Sequence, residues 1–120
     1  KGVAVNLDPA NFVMVTGDDP VAAVYTLKDY IVHTHAKDGR RLAVKDPEVI
    51  YGLIEDEIKE SKAFIELPLG EGDVDFDNYL KALDSIGYKG FLTIEREVGD
   101  NPELDIKNAI AFLTKKIRGI

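Results

Sequence analysis

The chain has 120 residues, 45% of them hydrophobic, and its 22 acidic and 15 basic side chains give a formal net charge of -7. This length predicts one domain, residues 1–120, with one hydrophobic core. We expect no nucleic-acid partner, because nucleic-acid binders present a positive field. The absence of cysteine excludes a disulfide framework and a cysteine-ligated zinc site. Since there is no apolar run of about 20 residues and no signal-peptide pattern, we expect no membrane partner and a cytoplasmic location.

The spacing of apolar side chains predicts four amphipathic helices, over residues of roughly 20–29, 47–61, 76–86 and 102–118. Three of them follow an Asp-Pro or Asn-Pro pair, in which the first residue caps the helix and the proline occupies its first turn. Asp8-Pro9 is the same kind of pair, but no helical stripe follows it. We therefore predict no helix after Asp8.

Short β-branched runs lie between the predicted helices. They predict strands at Val3–Leu7, Ile31–His35 and Phe91–Glu95, with a less regular fourth run at Ala63–Leu67. The segment at 70–72 is glycine-rich but lacks the spacing and the lysine of a phosphate-binding loop, so it predicts a turn. Strands that alternate with amphipathic helices predict an α/β fold built from parallel βα units.

Polar side chains stand at the carboxyl ends of the three main predicted strands, which is where parallel α/β folds bind ligands. Asp8 follows the first strand, His33 and His35 lie at the end of the second, and Glu95 ends the third. Because side chains alternate between the two faces of a strand, Asp8, His35 and Glu95 are expected on one face, opposite the apolar residues. This donor set suits a divalent ion such as Mn, Mg, Co or Zn.

Each of these residues also has a structural interpretation. Asp8 before a proline is a common turn or cap residue, and Glu95 can belong to an exposed ladder of charges. One of the two histidines is expected to support the site or contact a substrate rather than bind the ion. Three possible ligands on the same face at three strand ends are less easily explained by chance than any one of them alone, which favours the metal site.

Three basic residues follow the histidines: Lys37, Arg40 and Arg41. They are placed either to bind an anionic or polyhydroxyl substrate or to form a solvated basic loop. For Arg40 the loop interpretation is favoured.

Four stretches resemble the sugar phosphate isomerase/epimerase family, whose members share the xylose isomerase-like TIM barrel. They are NLDPAN at 6–11, HTHAKD at 33–38, PLGEGDVDF at 68–76 and FLTIERE at 91–97. The resemblance runs along nearly the whole chain, with the motifs in the family's order. It implies the C-terminal part of a TIM (β/α)8 barrel, strands six to eight, with residues of about 39–66 as an insertion after strand seven.

The same resemblance implies a set of site residues. Asp8, His35 and Glu95 match three of the family's four metal ligands, and the fourth, a glutamate of strand five, has no counterpart here. In the ketose epimerases that glutamate and the one matching Glu95 are the paired acid/base groups, which move a proton beside the carbonyl. The implied cofactor is a divalent metal ion, and the implied function is an isomerase or epimerase of a small sugar, sugar phosphate or hydroxy-keto acid.

Three further residues are implied to contact the carbohydrate substrate. Arg41 lies where the epimerases keep a substrate-binding arginine, and His33 neighbours the matched histidine. Asn11 stands where some epimerases have a histidine, so the substrate itself stays open.

Three βα units leave the outer edges of the sheet unpaired. We therefore expect that the chain needs a missing N-terminal half or self-association, and that it is inactive alone. One alternative is a non-catalytic half-barrel that functions in assembly. Another is a nuclease similar to endonuclease IV, which the two histidines and the net charge of -7 disfavour.

Overall fold

The computed structural model describes residues 2–42, 64–96 and 99–120. A parallel sheet contains three strands in the order β1-β2-β5, and a separate antiparallel pair is formed by β3 and β4. The strands are β1 (Val5–Leu7), β2 (Ile31–Ala36), β3 (Asp38–Arg41), β4 (Phe64–Leu67) and β5 (Leu92–Ile94). The helices are α1 (Pro9–Asn11), which continues as a π-helical turn at Phe12–Thr16, α2 (Pro20–Thr26), α3 (Phe76–Ser85) and α4 (Pro102–Arg118).

The register of the parallel sheet sorts the side chains into two faces. Leu7 pairs with Thr34, and Thr34 pairs with Leu92, so these three residues share one face. Leu7 and Thr34 are buried, and the apolar core that contains Leu7 also contains residues of each helix in the described ranges. One face of the sheet is therefore covered by helices, as the sequence predicts for βα units.

Polar caps begin the longer helices. Asp19 accepts a hydrogen bond from the N–H of Val21 at the start of α2, and Asn101 accepts one from the N–H of Leu104 at the start of α4. Helix α2 ends at Thr26, three residues before its predicted end, because Leu27 and Tyr30 form a turn that leads into β2. None of the helices in the described part of the chain combines the length and the apolar character needed to span a bilayer.

The prediction of no helix after Asp8 is wrong. Asp8 caps a helical run that starts at Pro9, continues through the π-helical turn and ends at Gly17, whose φ is 75°. Pro9, Ala10 and Met14 in this run are buried. A run this short is set by its cap and by local burial, so it shows no amphipathic stripe in the sequence.

Strand β3 was not predicted, since the sequence DGRR has low strand propensity. Its antiparallel pairing with β4 imposes the extended conformation, with Gly39 opposite Glu66 and Arg40 opposite Ile65. The two strands flank residues 43–63, which lie outside the described residues together with the predicted helix at 47–61. The bounds of the predicted insertion, about 39–66, stay a prediction.

A single buried carboxylate joins the antiparallel pair of β3 and β4 to the loop before α3. One oxygen of Asp38 accepts hydrogen bonds from the N–H groups of Gly39 at 2.8 Å and Val74 at 3.1 Å. The other accepts from the N–H groups of Gly70 at 3.0 Å and Gly72 at 3.1 Å. A Cβ atom at Gly72 would collide with Asp38 Oδ1, which explains the glycine there. The predicted turn at 70–72 is thus present and is held by Asp38.

Replacing this carboxylate by an amide should destabilise the fold. Asp38→Asn turns an NH₂ group toward backbone donors, so we expect the free energy of unfolding to fall by about 3 kcal/mol. Urea denaturation measures this loss. The matched control is Asp84→Asn on the exposed surface of α3, for which a change within about 0.5 kcal/mol is expected. Equal effects of the two substitutions would contradict the assigned role of Asp38.

Candidate metal centre and active site

The second face of the parallel sheet carries polar side chains. Asn6 pairs with His33 across β1 and β2, after a bulge between Val5 and Asn6, and His35 pairs with Thr93 across β2 and β5. His33 Nε2 lies 2.8 Å from Thr93 Oγ1, and His35 Nε2 lies 3.4 Å from Asn6 Nδ2. The two imidazole rings meet edge to face with their centroids 5.8 Å apart. Hydrogen bonds between strands thus fix the positions of both rings.

The structure brings Asp8, His35 and Glu95 together at the carboxyl ends of β1, β2 and β5. One ligand atom from each residue lies within 4.8 Å of the others. His35 Nδ1 is 2.9 Å from Glu95 Oε2 and 3.4 Å from Asp8 Oδ2. The N–H of Glu95 donates to the carbonyl of Ala36 at 3.1 Å, which holds Glu95 beside the end of β2.

Asp8 serves the helix and the site with different oxygens. Oδ1 accepts hydrogen bonds from the N–H groups of Ala10 at 3.0 Å and Asn11 at 3.2 Å, and so caps α1. Oδ2 faces His35 at 3.4 Å and Lys37 Nζ at 3.8 Å. The capping interpretation of Asp8 is therefore correct, and it leaves one oxygen on the site face.

The other residues assigned to substrate from the sequence are placed differently. Asn11 contacts Asp8 through its backbone N–H and not through its side chain. Arg41 donates from Nη1 to the carbonyl of Thr16 at 2.9 Å, and its buried Nε has no hydrogen-bond partner among the described residues. Arg40 is exposed and pairs with Asp73 at 3.3 Å, but it lies in β3 and not in a loop. The side chain of His33 contacts a side chain of the triad, since its ring meets that of His35.

For Lys37 the sequence left open a substrate contact and a solvated loop, and the structure buries this residue beside the triad. Its side chain is 8% exposed, and Nζ lies 3.8 Å from Asp8 Oδ2, 3.9 Å from Glu66 Oε2 and 4.0 Å from Glu95 Oε2. The signal was its spacing: Lys37 comes two residues after His35 and four after His33, so it continues their strand parity. The basic side chain is therefore a component of the site and not of a solvated loop.

Two further charged residues that the sequence analysis did not assign support Lys37. Glu66 of β4 is buried, and its Oε1 lies 3.2 Å from Arg96 Nη1. Arg96 Nε in turn lies 2.8 Å from Asp105 Oδ2 in the first turn of α4. Glu66 thus bridges Arg96 and Lys37 with its two oxygens. Nothing in the local sequence around Glu66 indicates this contact, because it depends on how β4 packs.

Tyr79 supports the same strand end from the helical side. Its side chain is fully buried, and its hydroxyl donates to the carbonyl of His35 at 3.4 Å. Burial raises the pKa of the Tyr79 phenol above its ordinary value, and the negative charge of Asp8 acts in the same direction. The phenol therefore stays protonated and keeps this hydrogen bond at physiological pH.

The donor chemistry of the triad fits a divalent ion. It offers one imidazole nitrogen and two carboxylates. Mn, Co and Zn bind such mixed nitrogen and oxygen ligands, and Mg binds the carboxylate oxygens. On the far side of the ring from the two carboxylates, Asn6 Nδ2 lies 3.4 Å from His35 Nε2 and holds the ring in place.

Three comparisons with known proteins agree with this architecture. The sequence profile of the xylose isomerase-like TIM barrel matches residues 1–116. The chain is 34% identical over 90 residues to the rhizopine catabolism protein MocC of Rhizobium meliloti, an alignment that covers 72% of this chain and 26% of MocC. The crystal structure of a xylose isomerase domain protein from Planctomyces limnophilus superposes with a TM-score of 0.75 at 30% identity, covering 98% of this chain and 38% of that one.

The chain therefore spans about a quarter of the length of MocC and less than two-fifths of the solved structure. The matched region includes the three parallel strands and the polar residues at their carboxyl ends. By sequence and by fold, the chain belongs to the xylose isomerase-like TIM barrel family.

Proposed function

We propose that these residues form part of the active site of a divalent-metal-dependent isomerase or epimerase. Its substrate is a small sugar, sugar phosphate or hydroxy-keto acid. The observation that carries the proposal is the convergence of Asp8, His35 and Glu95 at the carboxyl ends of three adjacent parallel strands. TIM-barrel enzymes place their active sites at this end of the strands. The relationship to a xylose isomerase domain protein supports a carbohydrate as the substrate.

The triad would hold the ion through Asp8, His35 and Glu95, which offer both nitrogen and oxygen ligands. A bound divalent ion supplies Lewis-acid polarisation of the substrate oxygens. Asn6 and Tyr79 would keep the ligands in place, since they contact the side chain and the carbonyl of His35 respectively.

Glu95 is the residue that we assign to proton transfer. Its side chain is 27% exposed, and Oε2 lies 2.9 Å from His35 Nδ1, so its carboxylate is oriented beside the histidine. In this proposal Glu95 takes a proton from the carbon beside the substrate carbonyl, and the C–H electron pair moves toward the carbonyl oxygen. An isomerase returns the proton to the former carbonyl carbon, while the proton of the adjacent hydroxyl moves to the former carbonyl oxygen. An epimerase returns a proton to the opposite face of the original carbon, and in the resembling epimerases a second glutamate supplies it.

Substrate contacts are proposed for Asn11, His33 and Arg41. His33 lies on the same face of the sheet as His35, and its ring touches that of His35. Arg41 has a buried Nε without a partner among the described residues, so a donor remains for a ligand oxygen.

The complete site needs more of the barrel than this chain describes. Within the described residues, β1 and β5 each pair with a single neighbour, β2. A closed barrel pairs every strand on both sides. We propose that the remaining strands come from a longer protein or from a second copy of the chain, so that turnover belongs to that larger assembly.

Ion binding tests the triad directly. In an isothermal titration with Mn²⁺, we expect His35→Gln to weaken binding by about 100-fold, because it removes a ligand. Asp8→Asn should weaken it comparably while keeping the helix, since asparagine is also a good N-cap. The matched control is His33→Gln, which removes the neighbouring imidazole that is bound to Thr93 and should change the affinity by less than about threefold. The titrations use the natural protein that contains these residues. No ion binding by that unaltered protein, or equal effects of the two histidine substitutions, would contradict the triad.

Proton exchange tests the assigned chemistry. With Mn²⁺ present, we expect the natural protein that contains these residues to exchange the hydrogen beside the carbonyl of D-fructose or hydroxypyruvate with solvent deuterium, as followed by NMR. Glu95→Gln should slow the exchange by about 1000-fold, whereas Glu103→Gln on the exposed surface of α4 should not. Ion binding without hydrogen–deuterium exchange in either compound would contradict the assignment of proton transfer and favour the non-catalytic alternative. Cleavage of abasic DNA would favour the nuclease.

A further inference from the structure

Lys37 differs from the other charged residues of the site in how its charge is satisfied. Its ammonium lies between Asp8, Glu66 and Glu95 at distances of 3.8, 3.9 and 4.0 Å. These distances exceed the usual length of a charge-assisted hydrogen bond, which is about 2.7–2.9 Å. Lys37 therefore receives electrostatic compensation from three carboxylates, but its ammonium makes no hydrogen bond to any described residue.

The position of the ammonium is constrained by its surroundings. The Lys37 side chain is 8% exposed, and Glu66, one of its partners, is 6% exposed. Glu66 is held by Arg96 at 3.2 Å, and Arg96 is held by Asp105 of α4 at 2.8 Å. A chain of ion pairs thus connects α4 to the site. The donors of Lys37 are held in place beside the triad, and a fixed donor binds a developing charge better than a mobile one.

We propose that Lys37 is a ligand-binding residue that works beside the ion. The ion would hold one oxygen of the ligand. The ammonium of Lys37 would donate a hydrogen bond to the adjacent anionic oxygen of the same ligand. The ligand class is a compound with two adjacent oxygens that share negative charge, such as a deprotonated hydroxy-keto compound or a short dicarboxylate. This inference rests on the proposed metal site and extends it by naming the group that selects the charge of the ligand.

Two opposing effects of one substitution test this role. Lys37→Met keeps the length of the side chain and removes its charge. Because a nearby positive charge repels the ion, we expect the affinity for Mn²⁺ to rise by about tenfold in an isothermal titration. Because a charge-assisted hydrogen bond is lost, we expect the Mn²⁺-loaded protein to bind oxalate about tenfold more weakly. A substitution that only damaged the fold would lower both affinities.

Two controls accompany this test. Lys107→Met removes the same charge from the exposed face of α4, where Lys107 is 72% exposed, and should leave both affinities within about twofold. Lys37→Gln removes the charge but keeps a polar donor, and thermal unfolding with Mn²⁺ present shows whether each variant is folded. If Lys37→Met does not fold, the same opposing shifts are required of Lys37→Gln.

The outcomes separate this inference from the proposed function. If the unaltered protein binds no Mn²⁺, the metal site itself fails. If it binds Mn²⁺ and Lys37→Met binds oxalate as tightly as before, Lys37 is a counter-charge only and the inference is overturned. A fall in both affinities in a folded variant overturns it as well, since Lys37 would then be a structural support of the triad. Opposite shifts confirm it.

Discussion

Two adjacent buried charges, Lys37 and Asp38, set the geometry of the chain at the end of β2. A charge buried without partners is strongly destabilising, so each must find compensation on its own side of the backbone. Asp38 binds backbone N–H groups of β3 and of the loop before α3. Lys37 lies among Asp8, Glu66 and Glu95. These two consecutive residues therefore join the parallel sheet, the antiparallel pair of β3 and β4, and the loop before α3.

Of these two charged residues, Asp38 stabilises the fold and Lys37 faces the candidate site. The carboxylate of Asp38 has four short hydrogen bonds and no capacity left for a ligand. The ammonium of Lys37 has long contacts only, and Asp8 gives one oxygen to the helix cap and turns the other to the site. The side of the chain that holds the fold is thus saturated with hydrogen bonds, whereas on the side that faces the triad the ammonium of Lys37 makes none to the described residues.

The sequence was informative where local rules decide the outcome. Alternation along the strands predicted that Asp8, His35 and Glu95 share a face, and capping residues located the starts of α2 and α4. Contacts that depend on distant segments were not predictable: β3 becomes a strand through β4, and Glu66 reaches Lys37 through the same packing. The helical run after Asp8 was missed because it is too short to show a periodic pattern.

We propose the triad at the ends of β1, β2 and β5 as a metal centre. The most direct measurement is an anomalous difference map from a crystal of the protein grown with Mn²⁺, with data collected near the manganese absorption edge. We expect a single strong peak about 2.0–2.3 Å from the carboxylates of Asp8 and Glu95 and a nitrogen of His35. A map without a peak at these three side chains, at a concentration that saturates Mn²⁺ binding in solution, would contradict the account.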